Sequence, residues 1–277
     1  MPFLDISELY LWYEDAGPRD APVVLLVHGA GGSLKEWDAL AAALAGEFRV
    51  VRLDLPGRGE PPAPADTAVF EFDRLAALLA ELLDALDIER AYLCGHGIGG
   101  LLALLMTLSA PERAAGLILA GTAPQPLPDA LRLALRPEPG AGPAPAGLAG
   151  LRKLAEGVKP MLASYPPIEP GSHSGEAAQA AHDPSQQAML ARWAAFDGVV
   201  DRLEAITIET LVLVGEGDAP FTQEGAELLH GWMPFSRLVR VPESGFRPHA
   251  ENPSAFDEEV LAFLREVEGF RRDGNRL

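Results

Sequence analysis

The feature that most restricts the fold is a series of short, almost continuously apolar runs separated by segments with helical periodicity. Residues 91–95 (AYLCG), 116–121 (GLILAG) and 210–215 (TLVLVG) are runs of this kind. Strands that are apolar on both faces are typical of a parallel sheet covered by helices on each side. Residues 73–88 instead repeat leucine at helical spacing, with acids on the opposite face. The pattern predicts an α/β fold with a mostly parallel central sheet flanked by helices.

The alternation of strands and helices extends over most of the chain but stops near its middle. Further strands are predicted at 9–14, 23–29, 48–57 and 237–242, and a closing helix at 256–270. Eleven of the 25 prolines fall within 124–170, and proline disfavours both helix and strand interiors. We therefore expect a core made of residues 1–123 and 206–277, with a helical cap inserted at 124–205. The competing interpretation of that segment is a tolerated surface insertion.

Two segments of the expected cap have helical patterns of their own. They lie around 148–163 and at 186–200. A cap of this kind commonly covers a pocket, so a small-molecule ligand is expected beneath it.

The chain is strongly acidic, with 22 basic and 40 acidic residues and a formal net charge of -18. This charge repels phosphate backbones and anionic lipid surfaces, so we expect neither a nucleic-acid nor a membrane partner. No apolar run reaches the roughly 18 residues of a membrane span, and the N-terminal segment lacks the basic-then-apolar order of a signal peptide. The single cysteine, Cys94, excludes an internal disulfide. Together these features predict a cytoplasmic protein.

The glycine-rich segment 93–100 (LCGHGIGG) has two incompatible interpretations. As G-x-G-x-x-G, with Gly95, Gly97 and Gly100, it is the fingerprint of a dinucleotide site. As G-x-S-x-G it is a nucleophile elbow with Gly97 where the serine should stand. A dinucleotide site also needs an acid at the end of the next strand, and residues 117–124 (LILAGTAP) contain none. The elbow is therefore the favoured interpretation, and no cofactor is expected.

Loop motifs elsewhere in the chain support the elbow. They follow predicted strands at 27–33 (VHGAGGS), 54–60 (DLPGRGE), 215–221 (GEGDAPF) and 242–253 (PESGFRPHAENP). In this order they resemble the α/β-hydrolase fold, and within it the capped esterase and enol-lactonase-like branch, over about residues 5–265.

The resemblance implies a triad in the chain order Ser, Asp, His. Carried over position by position, the nucleophile falls on Gly97, the acid on Asp218 and the histidine on Phe246. The backbone N–H groups of Ala30 and Ile98 would form the oxyanion hole. Serine attack needs a side-chain oxygen and a base. Gly97 and Phe246 supply neither, so conventional serine hydrolysis is not expected.

Two functional hypotheses follow from the resemblance. In the first, the chain binds a small apolar or acyl ligand under the cap, either as a binding protein or for proton-transfer, lyase or cyclisation chemistry. In the second, it hydrolyses a small ester or lactone with water activated by Asp218 or His249. An engineered inactive variant is a further alternative, although two separate losses fit it poorly.

The remaining candidates have structural as well as functional interpretations. Those expected to line the pocket are His28, Gly29, Trp37, His96, Trp193, Phe196 and Arg247. The histidines at 28 and 96 are also expected to pack beneath the turns, and the aromatic residues to pack between cap and core. Arg58 and Arg247 could meet a substrate carboxylate or remain solvated. Cys94 is expected in the core. No cluster of cysteine, histidine and acidic residues has metal-ligand spacing along the chain, so no metal is predicted.

Overall fold

A computed structural model describes residues 3–6, 9–56, 67–125 and 184–272. Within these residues the strands are β1 (Phe3–Ile6), β2 (Leu9–Ala16), β3 (Val23–Val27), β4 (Arg49–Leu53), β5 (Ala91–His96), β6 (Ala114–Ala120), β7 (Thr210–Gly215) and β8 (Ser236–Val241). The α-helices are α1 (Asp38–Leu44), α2 (Phe72–Ala85), α3 (Ile98–Ser109), α4 (Pro184–Ala195), α5 (Pro220–Trp232), α6 (Pro248–Glu251) and α7 (Pro253–Arg272). Short 3₁₀ helices lie at Leu34–Trp37, Thr67–Phe70, Pro111–Arg113 and Val200–Ala205.

The strands form an eight-stranded sheet in the order β1-β2-β4-β3-β5-β6-β7-β8. The pairs β1–β2 and β2–β4 are antiparallel, whereas every pairing from β4 through β8 is parallel. Helices connect these parallel strands, as parallel pairing requires. The predicted fold class, an α/β fold with a mostly parallel sheet, is confirmed.

Both faces of the sheet are buried, which explains the continuous apolar runs. In β5, Leu93 packs in the core layer that contains α2 and α3. Its neighbours Tyr92 and Cys94 point to the opposite layer, which contains residues of α1 and α7. Because successive side chains of a strand alternate between faces, a strand buried on both sides must be apolar at nearly every position.

Most predicted elements match the structure closely. The predicted helix at 73–88 is α2, the closing helix is α7, and the strand at 91–95 is β5. The helix predicted at 186–200 ends earlier, at Ala195. Gly198 then takes a left-handed φ of 86°, which interrupts a right-handed helix. A 3₁₀ helix follows at Val200–Ala205.

The expected cap at 124–205 lies mostly outside the described residues. Only Pro124, Gln125 and the segment from Pro184 onwards are described, and the helix expected at 148–163 is not among them. No helix of the described part of the chain is long and apolar enough to cross a membrane.

Candidate active site

A tight turn joins β5 to α3 at Gly97. Its φ of 54° and ψ of -116° lie outside the regions that residues with a side chain normally occupy. Its N–H donates to the Ala120 carbonyl at 2.9 Å, and its own carbonyl accepts from the Leu101 N–H at 3.1 Å. The turn thus has the strand–turn–helix form of a nucleophile elbow, with a glycine at its tip.

The helix that begins after this turn is packed closely against β3. A Cβ atom at Gly99 would lie 2.3 Å from the Val27 carbonyl oxygen and 2.5 Å from that of His28. Contacts this short exclude any side chain at position 99. Gly99, the second residue after the tip, therefore allows α3 to approach the turn that follows β3.

Phe246 faces the tip of the elbow. A Cβ atom built on Gly97 would meet the Phe246 Cζ at 3.4 Å, which is ordinary van der Waals contact. The phenyl ring is only 8% exposed and lies against the His96 imidazole, with ring centroids 4.7 Å apart. The His96 Nε2 lies 3.0 Å from the Phe246 carbonyl oxygen. The backbone of the loop after β8 is thereby tied to the last residue of β5.

Asp218 lies in the loop after β7. Its Oδ1 accepts a hydrogen bond from the Ala219 N–H at 2.6 Å, whereas its Oδ2 is buried without a hydrogen-bond partner. Burial raises the pKa of this carboxyl to about 6. The Ala219 N–H and nearby His96 lower it, but by less than burial raises it. A carboxylate with a pKa this close to neutrality can accept a proton from a bound group.

The turn after β3 contains the expected oxyanion donor Ala30. It is closed by a hydrogen bond from the Gly32 N–H to the Gly29 carbonyl, at 3.0 Å. The Gly29 N–H donates to the Glu36 Oε1 at 3.0 Å. The other expected donor, Ile98, is the first residue of α3, and N–H groups in the first turn of a helix have no partner within the helix.

A small cavity lies beside Gly97, with a volume of about 20 Å³, room for about one water molecule. Gly97, Ile98, Trp193 and Phe246, all singled out from the sequence, line it. Leu101, Gly121, Ala123, Phe221 and Thr222 complete its described lining. These five were missed, although Gly121 and Ala123 directly follow a predicted strand. The carboxyl ends of parallel strands form the binding edge of such sheets, and that rule points to them.

Several other expected pocket residues are not among those that line this cavity. The His28 Nε2 accepts from the Leu55 N–H at 2.9 Å. Trp37 is fully buried and stacks on His249, with ring centroids 4.5 Å apart. Phe196 packs on Phe72 at 5.5 Å. These contacts are those of packing residues.

Two further candidates have packing or helix-end roles, and a third is not described. Arg247 is buried, and its backbone N–H donates to the Glu251 Oε1 at 3.0 Å. Cys94 is fully buried in β5, where burial raises the pKa of its thiol. Arg58 lies outside the described residues.

A second polar group lies buried below the elbow and consists of Glu36, His96 and His249. We call it the Glu36 cluster. The Glu36 Oε1 is 3.4 Å from the His96 Nδ1 and 3.7 Å from the His249 Nε2. Burial raises the pKa of Glu36, but the adjacent His96 outweighs it and lowers the value to about 2. Burial lowers the pKa of His249 well below its usual range. Glu36 was missed because a lone acid in a loop gives no sequence signal.

The chain was compared with known proteins, and two matches identify its family. The family model of the α/β hydrolase fold matches residues 22–141. A protein of Variovorax paradoxus (strain S110) named carbamate hydrolase RutD is 32% identical over 271 residues, which cover 93% of this chain and 97% of that protein. The chain belongs to the α/β-hydrolase family. The expectation drawn from the loop motifs is thereby confirmed at the level of the family.

Two other known proteins resemble the chain to different extents. A thermophilic esterase from Thermogutta terrifontis has a solved structure with a TM-score of 0.78 and 26% identity, covering 96% of this chain and 98% of that one. The dihydrolipoyllysine-residue acetyltransferase component of the acetoin cleaving system of Pseudomonas putida is 43% identical over 117 residues. That match covers 42% of this chain and only 31% of the acetyltransferase component.

Proposed function

We propose that this member of the α/β-hydrolase family binds a small apolar or acyl ligand beside Gly97 without conventional serine hydrolysis. The observation that carries the proposal is the contact of 3.4 Å between a Cβ position on Gly97 and the Phe246 Cζ. The two positions that would hold nucleophile and base face each other. A hydrogen atom and a phenyl ring occupy them.

The chemistry of serine hydrolysis depends on both of these groups. The hydroxyl attacks the carbonyl carbon while the imidazole takes its proton, and the carboxylate orients the imidazole. Loss of either the serine or the histidine of a protease triad lowers turnover by about a millionfold. With glycine and phenylalanine in these places, Asp218 has no imidazole to orient.

The remaining groups favour binding of a carbonyl compound. Leu101, Trp193 and Phe246 make the cavity largely apolar, and Thr222 adds a hydroxyl group. The N–H of Ile98 lies at the start of α3, where the helix dipole favours a partly negative oxygen. The relatives named as an esterase and a carbamate hydrolase support an acyl compound as the ligand class. The cavity beside Gly97 holds about one water-sized group, so it is the carbonyl oxygen of an acyl ligand that would enter it.

A second candidate function is hydrolysis of a small ester or lactone by water that Asp218 activates. The unpartnered Oδ2 and the pKa of about 6 favour this role for Asp218. His249 is the weaker candidate base, because it is 2% exposed and stacked on Trp37.

Turnover of p-nitrophenyl acetate, p-nitrophenyl butyrate and γ-butyrolactone separates the two candidates. We expect the native chain to hydrolyse none of them above the buffer rate, and a fluorescent serine-reactive phosphonate to leave it unlabelled. Gly97→Ser/Phe246→His is the matched variant that restores both missing groups, and the phosphonate should label it. Native turnover that Asp218→Asn abolishes would establish the second candidate instead.

Binding is measured independently of turnover through Trp193, which lines the cavity. Butyrate and γ-butyrolactone should change tryptophan fluorescence in the native chain and in Trp232→Phe, because Trp232 is an exposed residue elsewhere on α5. The change should disappear in Trp193→Phe. A response that survives Trp193→Phe and disappears in Trp232→Phe would place binding elsewhere and contradict the proposed site.

A further inference from the structure

The Glu36 cluster brings together three side chains from three different loops. Glu36 lies in the 3₁₀ helix after the oxyanion turn, His96 ends β5 below the elbow, and His249 lies in α6 beyond Phe246. One ligand atom from each side chain lies within 4.8 Å of the other two. Three atoms so spaced leave a point within about 2.8 Å of all of them. Shifts of about 0.7 Å would give the 2.0–2.2 Å distances of a bound zinc ion.

The hydrogen bonds around the cluster leave its acceptor atoms pointing at one another. The Phe246 carbonyl can only accept, so the His96 Nε2, 3.0 Å away, must donate its proton to it. In the neutral imidazole the Nδ1 then carries a lone pair, and it faces the Glu36 Oε1 at 3.4 Å. The His249 Nε2 approaches the same oxygen at 3.7 Å. A cation shared by these atoms would satisfy them, and a metal ion reaches all three whereas a proton on His96 reaches only Glu36.

The polar atoms of the cluster are not satisfied by the protein around them. The Glu36 Oε2, the His96 Nδ1 and both ring nitrogens of His249 are buried without a hydrogen-bond partner. Most buried polar atoms of native proteins have a partner, so four such atoms in one place require an explanation. An imidazole pair and a carboxylate are also the ligands that first-row divalent ions select.

The orientation of each side chain is fixed by its surroundings. The Gly29 N–H donates to the Glu36 Oε1 at 3.0 Å, and the Phe246 carbonyl fixes the tautomer of His96. Trp37 stacks on the His249 ring at 4.5 Å. Outer partners of this kind orient the ligands of metal sites and raise their affinity.

We propose that Glu36, His96 and His249 form a buried binding site for a first-row divalent metal ion, with zinc as the best match to the ligand set. The ion links the oxyanion turn, the elbow and the loop of Phe246 from below. The three side chains are almost fully buried, so the ion holds the loops together rather than meeting a substrate, and its fourth tetrahedral position is left to a non-protein ligand. A short metal-binding motif is not expected in the sequence of such a site, because its three ligands are separated by 60 and 153 positions along the chain.

Metal content of the full chain, expressed in medium supplemented with Zn²⁺ or Co²⁺ and dialysed against a metal-free buffer, tests the proposal. We expect about one equivalent per chain by mass spectrometry, with a Tm higher by about 5 °C or more than that of the chelator-treated protein. Glu36→Gln and His249→Gln should each lower the retained metal at least tenfold. His230→Gln, an exposed histidine outside the cluster, should retain it.

X-ray absorption of the zinc-loaded native chain identifies the ligands directly, so the test does not depend on the variants folding. Two imidazoles and a carboxylate oxygen around the ion support the site. Less than about a tenth of an equivalent in the native chain would overturn it. Equal metal in the native chain and in a folded Glu36→Gln or His249→Gln would equally overturn it and leave an adventitious ion only.

Discussion

Replacement of Gly97 by alanine adds one methyl group at the tip of the elbow. The new Cβ would meet the Phe246 Cζ at 3.4 Å, so space is adequate and nothing has to move. The backbone, however, has a φ of 54° and a ψ of -116°. The left-handed region open to other residues has a ψ near +45°. The cost of the substitution is therefore backbone strain rather than a clash.

Strain of this kind costs roughly 1–3 kcal/mol. Each kcal/mol shifts the Tm of a chain of about this size by roughly 2–4 °C. We therefore expect Gly97→Ala to lower the Tm by about 2–12 °C, and Gly97→Ser by a similar amount. Thermal unfolding followed by circular dichroism measures the shift, and guanidinium titration at constant m confirms that stability has changed.

Gly46→Ala is the matched control. Gly46 has no atoms within 4 Å of an added Cβ, and its φ is not in the left-handed range. Alanine there restricts the unfolded chain without strain, so the Tm should stay the same or rise slightly. If Gly97→Ala were as stable as Gly46→Ala, the elbow geometry at position 97 would be wrong.

Two further substitutions test the packing and the charge of the site. Gly99→Ala should destabilise the fold more than Gly97→Ala in the same unfolding assay, because its Cβ would lie 2.3 Å from the Val27 carbonyl oxygen; an equal or smaller loss would contradict the close approach of α3 to β3. The pKa of Asp218 is raised from 3.8 to about 6, so the protonated form is favoured in the folded state and native stability falls as the pH rises from about 4 to 7. Asp218→Asn should remove this pH dependence. The variant should be more stable than the native chain by up to about 3 kcal/mol at pH 8 and no more stable below pH 4. Denaturant titrations at both pH values measure the difference, and an equal gain at both would contradict the raised pKa of Asp218.

The fold was predictable because burial on both faces leaves a periodic trace in the sequence. Leu93 and Cys94 point to opposite layers of the core, and both positions must be apolar. The end of α4 at Ala195 was not predictable from periodicity, because the pattern continues to a left-handed glycine, Gly198, where a right-handed helix cannot continue. Local conformation at a single residue overrides an amphipathic pattern.

Only those residues of the candidate site that belong to loop motifs could be predicted from the sequence. Gly97 and Phe246 were placed by their positions in motifs, and in the structure both line the same cavity. The Glu36 cluster was not predictable, since Glu36 lies outside the motifs and His96 and His249 lie in two different ones. Contacts between such distant positions come from the order of the strands in the sheet. A single sequence carries no signal for that order.

Under the proposed function, glycine at position 97 and phenylalanine at position 246 suit each other better than either would suit the serine or histidine of a triad. A serine at position 97 opposite a phenyl ring would bear backbone strain and have no base to take its proton. A histidine at position 246 opposite glycine would bury an imidazole without the hydroxyl it serves. With both replaced, the turn loses its strain and the cavity loses two polar groups. The bond from His96 to the backbone carbonyl of residue 246 does not depend on that side chain, so the loop after β8 stays tied to β5 whichever residue stands at position 246.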